Sequence, residues 1–225
     1  MYSTIKQIMV AILLCSTIAI SFAETTISAD VVSRYVWRGT DFGNAAAVQP
    51  GIETVVGPVT VGAWGSWALN GAADGNECDL YASTTVGPVD LTLTDYFFPA
   101  YTGDSTYTGD GIFKYSGDDA THTFELSAST DVGPVSLLAA AYVSGDTYLG
   151  SDDADIDRNS LYLEVGYGAF SVGLGNGDYT ADDGYDEGSF GVVSIGVSAS
   201  RDNFSASYII NPDQETSFLV FGVKF

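Results

Sequence analysis

His122 is the single histidine of this chain, and it stands in His122-Thr123-Phe124. A serine hydrolase built on a strand wants a hydroxyl two residues from its histidine, on the same face. Phe124 occupies that place, so no catalytic residue is expected, and His122 reads as a plain rim residue where a loop meets a strand. The acids of "DDADIDR…E" at Asp153, Asp155, Asp157 and Glu164 follow the spacing of a calcium loop. Arg158 stands where that loop needs glycine, and Glu164 falls in a strand pattern, so no metal centre and no cofactor are expected. Loose binding of divalent cations by acidic loops is the metal chemistry that remains. The other chemistry belongs to charges set singly among apolar and small residues: Arg34, Arg38, Glu53, Glu125, Glu164 and Lys224. Such groups could line a common water-filled space if the elements that carry them surround one.

Those elements are strands. "VTVGAWGSWAL" (59–69) puts Val59, Val61, Ala63, Trp67 and Leu69 on one face, and Thr60, Gly62, Trp64, Ser66 and Ala68 on the other. "VDLTLT" (89–94) and "TFELSASTDV" (123–132) alternate in the same way, which is the period of two that a strand presents. Beyond residue 23 no stretch has a convincing helical period. "VGPV" occurs at 56–59, 86–89 and 132–135, and each Gly-Pro is a tight-turn signal. "YGAF" (167–170) and "SRDNF" (200–204) mark two further short turns. The remaining connections are longer and acidic. The layout predicts about twelve antiparallel strands, one near 26–37, one near 216–225 and five hairpins between them, joined alternately by short turns and long loops. Strands of roughly 9–11 residues suit a tilted bilayer crossing, and closure removes every edge. The fold class expected is therefore all-β: a transmembrane, up-and-down barrel over 24–225 with short periplasmic turns and long acidic extracellular loops.

The N-terminus supports export. Residues 1–23 carry one lysine, an interrupted apolar run and a Ser21-Phe22-Ala23 ending, the grammar of a cleaved signal peptide. Cleavage there leaves Cys78 as the lone cysteine, so no internal disulfide can staple the fold. A net charge of −22 excludes nucleic acid as a partner. The expected partners are outer-membrane lipid and lipopolysaccharide, whose anionic surface the acidic loops would meet through bridging cations. "SFLVFGVKF" (217–225) alternates and ends on an aromatic, Phe225.

Strand parity assigns faces. With Ile27, Ala29, Val31, Tyr35 and Trp37 toward lipid, Arg34 and Arg38 turn inward, as do Glu53 and Lys224. Arg34, Arg38 and Lys224 would then share one wall, facing Glu125 and Glu164 on a more distant one. The two groups would set a transverse field, or pair locally (Arg34 with Glu53) and merely fill the barrel. Small inward residues, Gly173, Gly175 and Gly177, then Ser194, Gly196 and Ser198, with Ser205 and Ser207, would leave room in the lumen. The longest loop, 99–121, is the candidate plug. Aromatic residues near strand ends, such as Trp67 and Tyr208 on one side and Tyr167, Phe170, Phe204 and Phe225 on the other, suit two interfacial girdles.

The opening strands carry a family resemblance. "SRYVWRG" (33–39), then "AVQPGIE" (47–53) and "GAWGSWA" (62–68) resemble, in order, the first strands of the TorF family of porin-like outer-membrane proteins. The match covers about the first fifth of the chain beyond residue 23; after it the likeness is one of layout. The resemblance implies an outer-membrane barrel, and likeness to outer-membrane proteins in general implies that the C-terminal strand, ending at Phe225, addresses the barrel-assembly machinery; no enzyme is expected. The function expected is passive diffusion of small polar solutes or ions, mildly cation-favouring because of the acidic loops. The alternative is a closed, non-conducting barrel with a surface, adhesion or envelope-structural role.

Overall fold

A computed structural model describes residues 25–71, 76–99, 111–115, 121–145, 160–180 and 190–225. Residues 1–23, expected to be a signal peptide, and the calcium-like acids at 153–157 lie outside the described residues, as does most of loop 99–121.

Twelve strands close into one barrel in the order β1-β14-β13-β12-β11-β10-β9-β8-β7-β6-β5-β4. These are β1 (Thr26–Val32), β4 (Ala47–Val56), β5 (Val59–Ala68), β6 (Glu77–Val86), β7 (Val89–Phe97) and β8 (His122–Val132). They continue with β9 (Val135–Ser144), β10 (Leu161–Tyr167), β11 (Phe170–Gly175), β12 (Gly191–Arg201), β13 (Phe204–Asn211) and β14 (Thr216–Lys224). Every pairing is antiparallel, and closure is made by β1 on β14, with Asp30 opposite Lys224. The up-and-down barrel expected from the repeats is the observed one.

The short turns share one geometry. Gly57, Gly87, Gly133 and Gly168 have φ of 63°, 62°, 62° and 61°. Glycine with positive φ at the first of two loop residues is the hairpin turn that matches strand twist, and proline at the second supplies its negative φ. Asp202, at φ 53°, takes the same place in the fifth turn. With one such turn at each return, every following strand starts in register.

Apolar side chains point outward. Ile27 is 78% exposed, and Leu93, Leu126, Leu163, Phe204, Leu219 and Phe221 are exposed with it. An apolar outer surface of this extent is untenable in water and is what lipid solvates. The closed barrel therefore fits an outer-membrane protein. Tyr167, Phe170, Phe204 and Phe225 form an exposed aromatic group at the short-turn end.

The remaining two strands break the expected layout. β2 (Tyr35–Trp37) and β3 (Thr40–Phe42) form their own two-stranded sheet and pair with no barrel strand. The first strand thus ends at Val32 rather than near 37, and Tyr35 and Trp37 lie in the lumen rather than toward lipid. Alternation cannot distinguish the two, because a hairpin folded inward has the same period as one in the wall. The break is set by the backbone. Ser33 ties to Phe221 by Ser33 N to Phe221 O and by Phe221 N to Ser33 Oγ, at 2.8 and 2.9 Å. Arg38 and Gly39, at φ 50° and 87°, then make the tight reversal of the hairpin.

Candidate functional site

The β2–β3 hairpin crosses the lumen and is anchored at its tip. A Cβ on Gly39 would collide with the backbone carbonyl of Val193 on β12, so the turn lies against the β12 wall and only glycine fits. Asn211 Nδ2 donates to the Gly39 carbonyl at 3.2 Å, and Gln214 Nε2 donates to Thr40 Oγ1 at 3.1 Å.

Arg38 is the centre of this plug. Its Nη1 and Nη2 donate to the two carboxylate oxygens of Glu125 at 2.5 and 2.9 Å, across 87 residues of sequence. Glu125 is only 2% exposed. The β8–β9 ladder shifts register at Phe124 and Glu125, where Val143 of β9 is the extra residue, while β8 keeps its alternation and points Glu125 inward. The guanidinium also lies 4.3 Å from the ring centroids of Trp37 and Tyr162, and 4.9 Å from that of Tyr179. A planar, bidentate cation between aromatic faces is the environment in which arginine tolerates burial. Tyr179 sits on a 3-10 turn (Gly177–Tyr179) after β11 that folds into the lumen, and its hydroxyl donates to Glu125 at 2.7 Å. Burial first, then the Glu125 charge, pushes the Tyr179 phenol up, so it keeps its proton and remains a donor. Tyr96, Tyr142, Tyr162, Tyr179 and Val193 pack with Ala140 as the buried cluster of the molecule, with Trp37 against it.

The lumen is hollow on both sides of this layer. Toward the short-turn end is a cavity of about 510 Å³ that includes Ser28, Glu53, Trp64, Asp79, Tyr81 and Lys224 in its lining. Toward the long-loop end is one of about 360 Å³ bordered by Arg38, Phe42, Glu77, Tyr142, Asp178 and Gln214. Trp37 and Tyr96 line both, and their rings meet edge-on at 5.5 Å. The partition between the two spaces is therefore about one side chain thick.

Several expected positions are corrected here. Arg34, Arg38 and Lys224 do not form a basic patch on one wall. Arg34 pairs with Asp41 inside the hairpin, lying 5.5 Å from the Phe218 ring, while Arg38 reaches Glu125 and Lys224 lies exposed at the short-turn mouth. The pairing considered for Arg34 and Glu53 is replaced as well: Glu53 accepts a hydrogen bond from Tyr81 at 2.9 Å. A separated transverse field is thus largely cancelled by direct contact. Glu164 does face the lumen, where it accepts from Tyr162 Oη at 2.6 Å.

The small residues leave less room than their size suggests. A Cβ on Gly173 would strike the Tyr162 ring, and one on Gly175 would come within 2.8 Å of Tyr179 Cβ. Both glycines are covered by rings of the buried cluster, and Gly177 belongs to the 3-10 turn rather than to a strand. Ser194, Gly196 and Ser198 do border open space, a cavity of about 200 Å³ beside Arg38, Gly39 and Ser207.

His122 is not an isolated rim residue. Its Nδ1 lies 2.7 Å from Asp95 Oδ1 and its Nε2 lies 3.0 Å from the Ile112 carbonyl. The ring is stacked between Phe97 and Tyr115, with centroids at 4.9 and 4.0 Å. Since Tyr96 faces the lumen, Phe97 and its partner His122 face outward. Both nitrogens have polar partners, and the ring packs Gly111–Tyr115 against the outer wall.

The parity argument did not include Glu77 and Asp79. Both are buried and point inward from β6, beside Tyr35. Glu77 borders the cavity at the long-loop end and Asp79 the one at the short-turn end. The signal was present in "ECDLYASTTV", where Glu77, Asp79, Tyr81 and Ser83 share one face. Comparison with protein-family models, with curated proteins and with solved structures yields no match.

Proposed function

We propose that this chain is an outer-membrane channel of the porin-like type its first strands resemble. In this reading it passes small polar solutes or ions by diffusion, with a mild preference for cations, and has no enzymatic role. The short turns face the periplasm and the long acidic loops face a lipopolysaccharide surface, where they hold divalent cations loosely. The C-terminal strand ending at Phe225 engages the barrel-assembly machinery.

The observation that carries the reading is the pair of hollow spaces separated by a single layer. A barrel that only filled itself would have no such cavities. The partition of Trp37, Arg38 and Tyr96 is then a gate, closed at rest and opened by displacement of the β2–β3 hairpin. Glu77 and Asp79, one on each side of the partition, favour a cation at the narrowest level.

The competing reading, a closed barrel with a surface or envelope-structural role, is favoured by one observation: the bidentate Arg38–Glu125 pair, buried among rings, is costly to open. Planar-bilayer recording separates them. The channel reading expects rare discrete openings from the unaltered protein and frequent ones when Tyr35–Phe42 is replaced by glycine and serine, with cation-favouring reversal in a salt gradient. Silence from both proteins, each shown to be folded and inserted, would establish the closed barrel instead.

A further inference from the structure

The cavity at the short-turn end has a graded lining. At its mouth stand Glu53 and Lys224, both exposed and opposite in charge. Deeper in, Asp79 is the charged residue of the lining, and it is 5% exposed. Its Oδ1 has no hydrogen-bond partner among the described residues. A buried carboxyl oxygen left in this state lacks a hydrogen-bond donor, which is an opening for one from outside the chain.

Aromatic residues share the cavity with Asp79. Trp37, Trp64, Tyr81 and Tyr96 line the same space. The Tyr81 ring lies over Gly62 of the neighbouring strand, where a Cβ would overlap it, so the ring can lie flat against the wall. The wall is therefore built to present ring surface to the cavity.

The protein already shows what such a setting holds. On the other side of the partition a guanidinium lies among Trp37, Tyr162 and Tyr179 and is held by Glu125. Rings around a carboxyl group make a cation site, because ring faces and carboxyl oxygens are both negative. The 510 Å³ cavity repeats this chemistry without an internal cation at its buried end. We propose that it is a binding site for a small organic cation bearing a guanidinium or primary ammonium group, which enters from the short-turn end and donates to Asp79. The proposal rests on the channel reading only for its biological sense, as the solute class that the passage selects; the binding itself needs no open gate.

Binding is read by tryptophan fluorescence. Two of the three tryptophans, Trp37 and Trp64, line the cavity, while Trp67 faces outward as an internal reference. The refolded full barrel is titrated with agmatine, with glucose and glutarate as neutral and anionic comparators. Expected are saturable quenching by agmatine alone and a weakening of at least about tenfold in Asp79→Asn. Tyr81→Leu, which removes a ring and no lumen charge, is expected to weaken binding about threefold, and it serves should Asp79→Asn fail to fold. No saturable response from folded protein, an equal response to glucose, or unchanged affinity in the folded variants would overturn the site. Conductance is no part of the readout. A silent bilayer with intact agmatine binding would remove only the channel, and a conducting barrel that ignores agmatine would remove only this site.

Discussion

The two halves of this barrel use the same strands and solve the lumen differently. In the long-loop half, inward glycines receive rings: Gly173 accommodates Tyr162, which is 0% exposed, and Gly175 accommodates Tyr179. In the short-turn half, Gly62 accommodates Tyr81, but beyond that ring there is open volume. Both halves set carboxyl groups among aromatic rings. One contains its own cation, Arg38, in a packed layer of rings; the other lacks one at depth, and its carboxyl group borders open space. The difference teaches that lumen filling in a barrel of this size is decided by what is folded into it, here eight residues from Tyr35 to Phe42, and not by the wall residues alone.

The comparison can be broken most strongly at the ion pair. Glu125→Ala leaves Arg38 charged, buried and unpaired, and is expected to cost about 3–5 kcal/mol, read as a fall in the denaturant midpoint of the lipid-reconstituted barrel. The double change Arg38→Met with Glu125→Leu should recover most of that loss, because two apolar side chains need no partner. Recovery of nothing would mean that the pair is not the plug's main anchor. A second contrast uses one substitution in both halves. Gly173→Ala drives a methyl group into a ring with nowhere to go and is expected to cost about 1–3 kcal/mol. Gly62→Ala meets Tyr81, which can swing into the cavity, and should cost under about 1 kcal/mol. Equal costs would show that the two halves are packed alike.

A smaller contrast concerns hydroxyls. Tyr179→Phe removes a donor from buried Glu125 and should destabilise by about 1–2 kcal/mol, whereas Tyr81→Phe removes one from exposed Glu53 and should be within about 0.5 kcal/mol of neutral. The smallest effect lies outside the lumen. His122→Ala frees the Gly111–Tyr115 segment from the outer wall, and is expected to raise tryptic cleavage after Lys114 with little change in global stability. Unchanged cleavage would leave the His122 contacts without a mechanical role.

Much of the wall was legible. Three copies of Val-Gly-Pro-Val and strict alternation are local signals, and a local signal survives any arrangement of the rest. The inward direction of Glu125, Glu164 and Lys224 followed from the same period. Tyr35 and Trp37 were misplaced because period two is common to a wall strand and a lumen hairpin. His122 looked solitary because Asp95 and Ile112 are brought to it only by the β7–β8 pairing and the return of the chain at 111–115. Glu77 and Asp79 could have been read from parity alone, since they share one face of "ECDLYASTTV".

By itself, then, the sequence determined the number of strands, the placing of the short turns and the apolar outer face, since each rests on residues a few positions apart. Only the tertiary structure decided that the lumen is closed by its first hairpin and that Arg38 meets Glu125. Those contacts join residues 87 apart, and they exist only once β1 has closed on β14 and brought the far wall within reach.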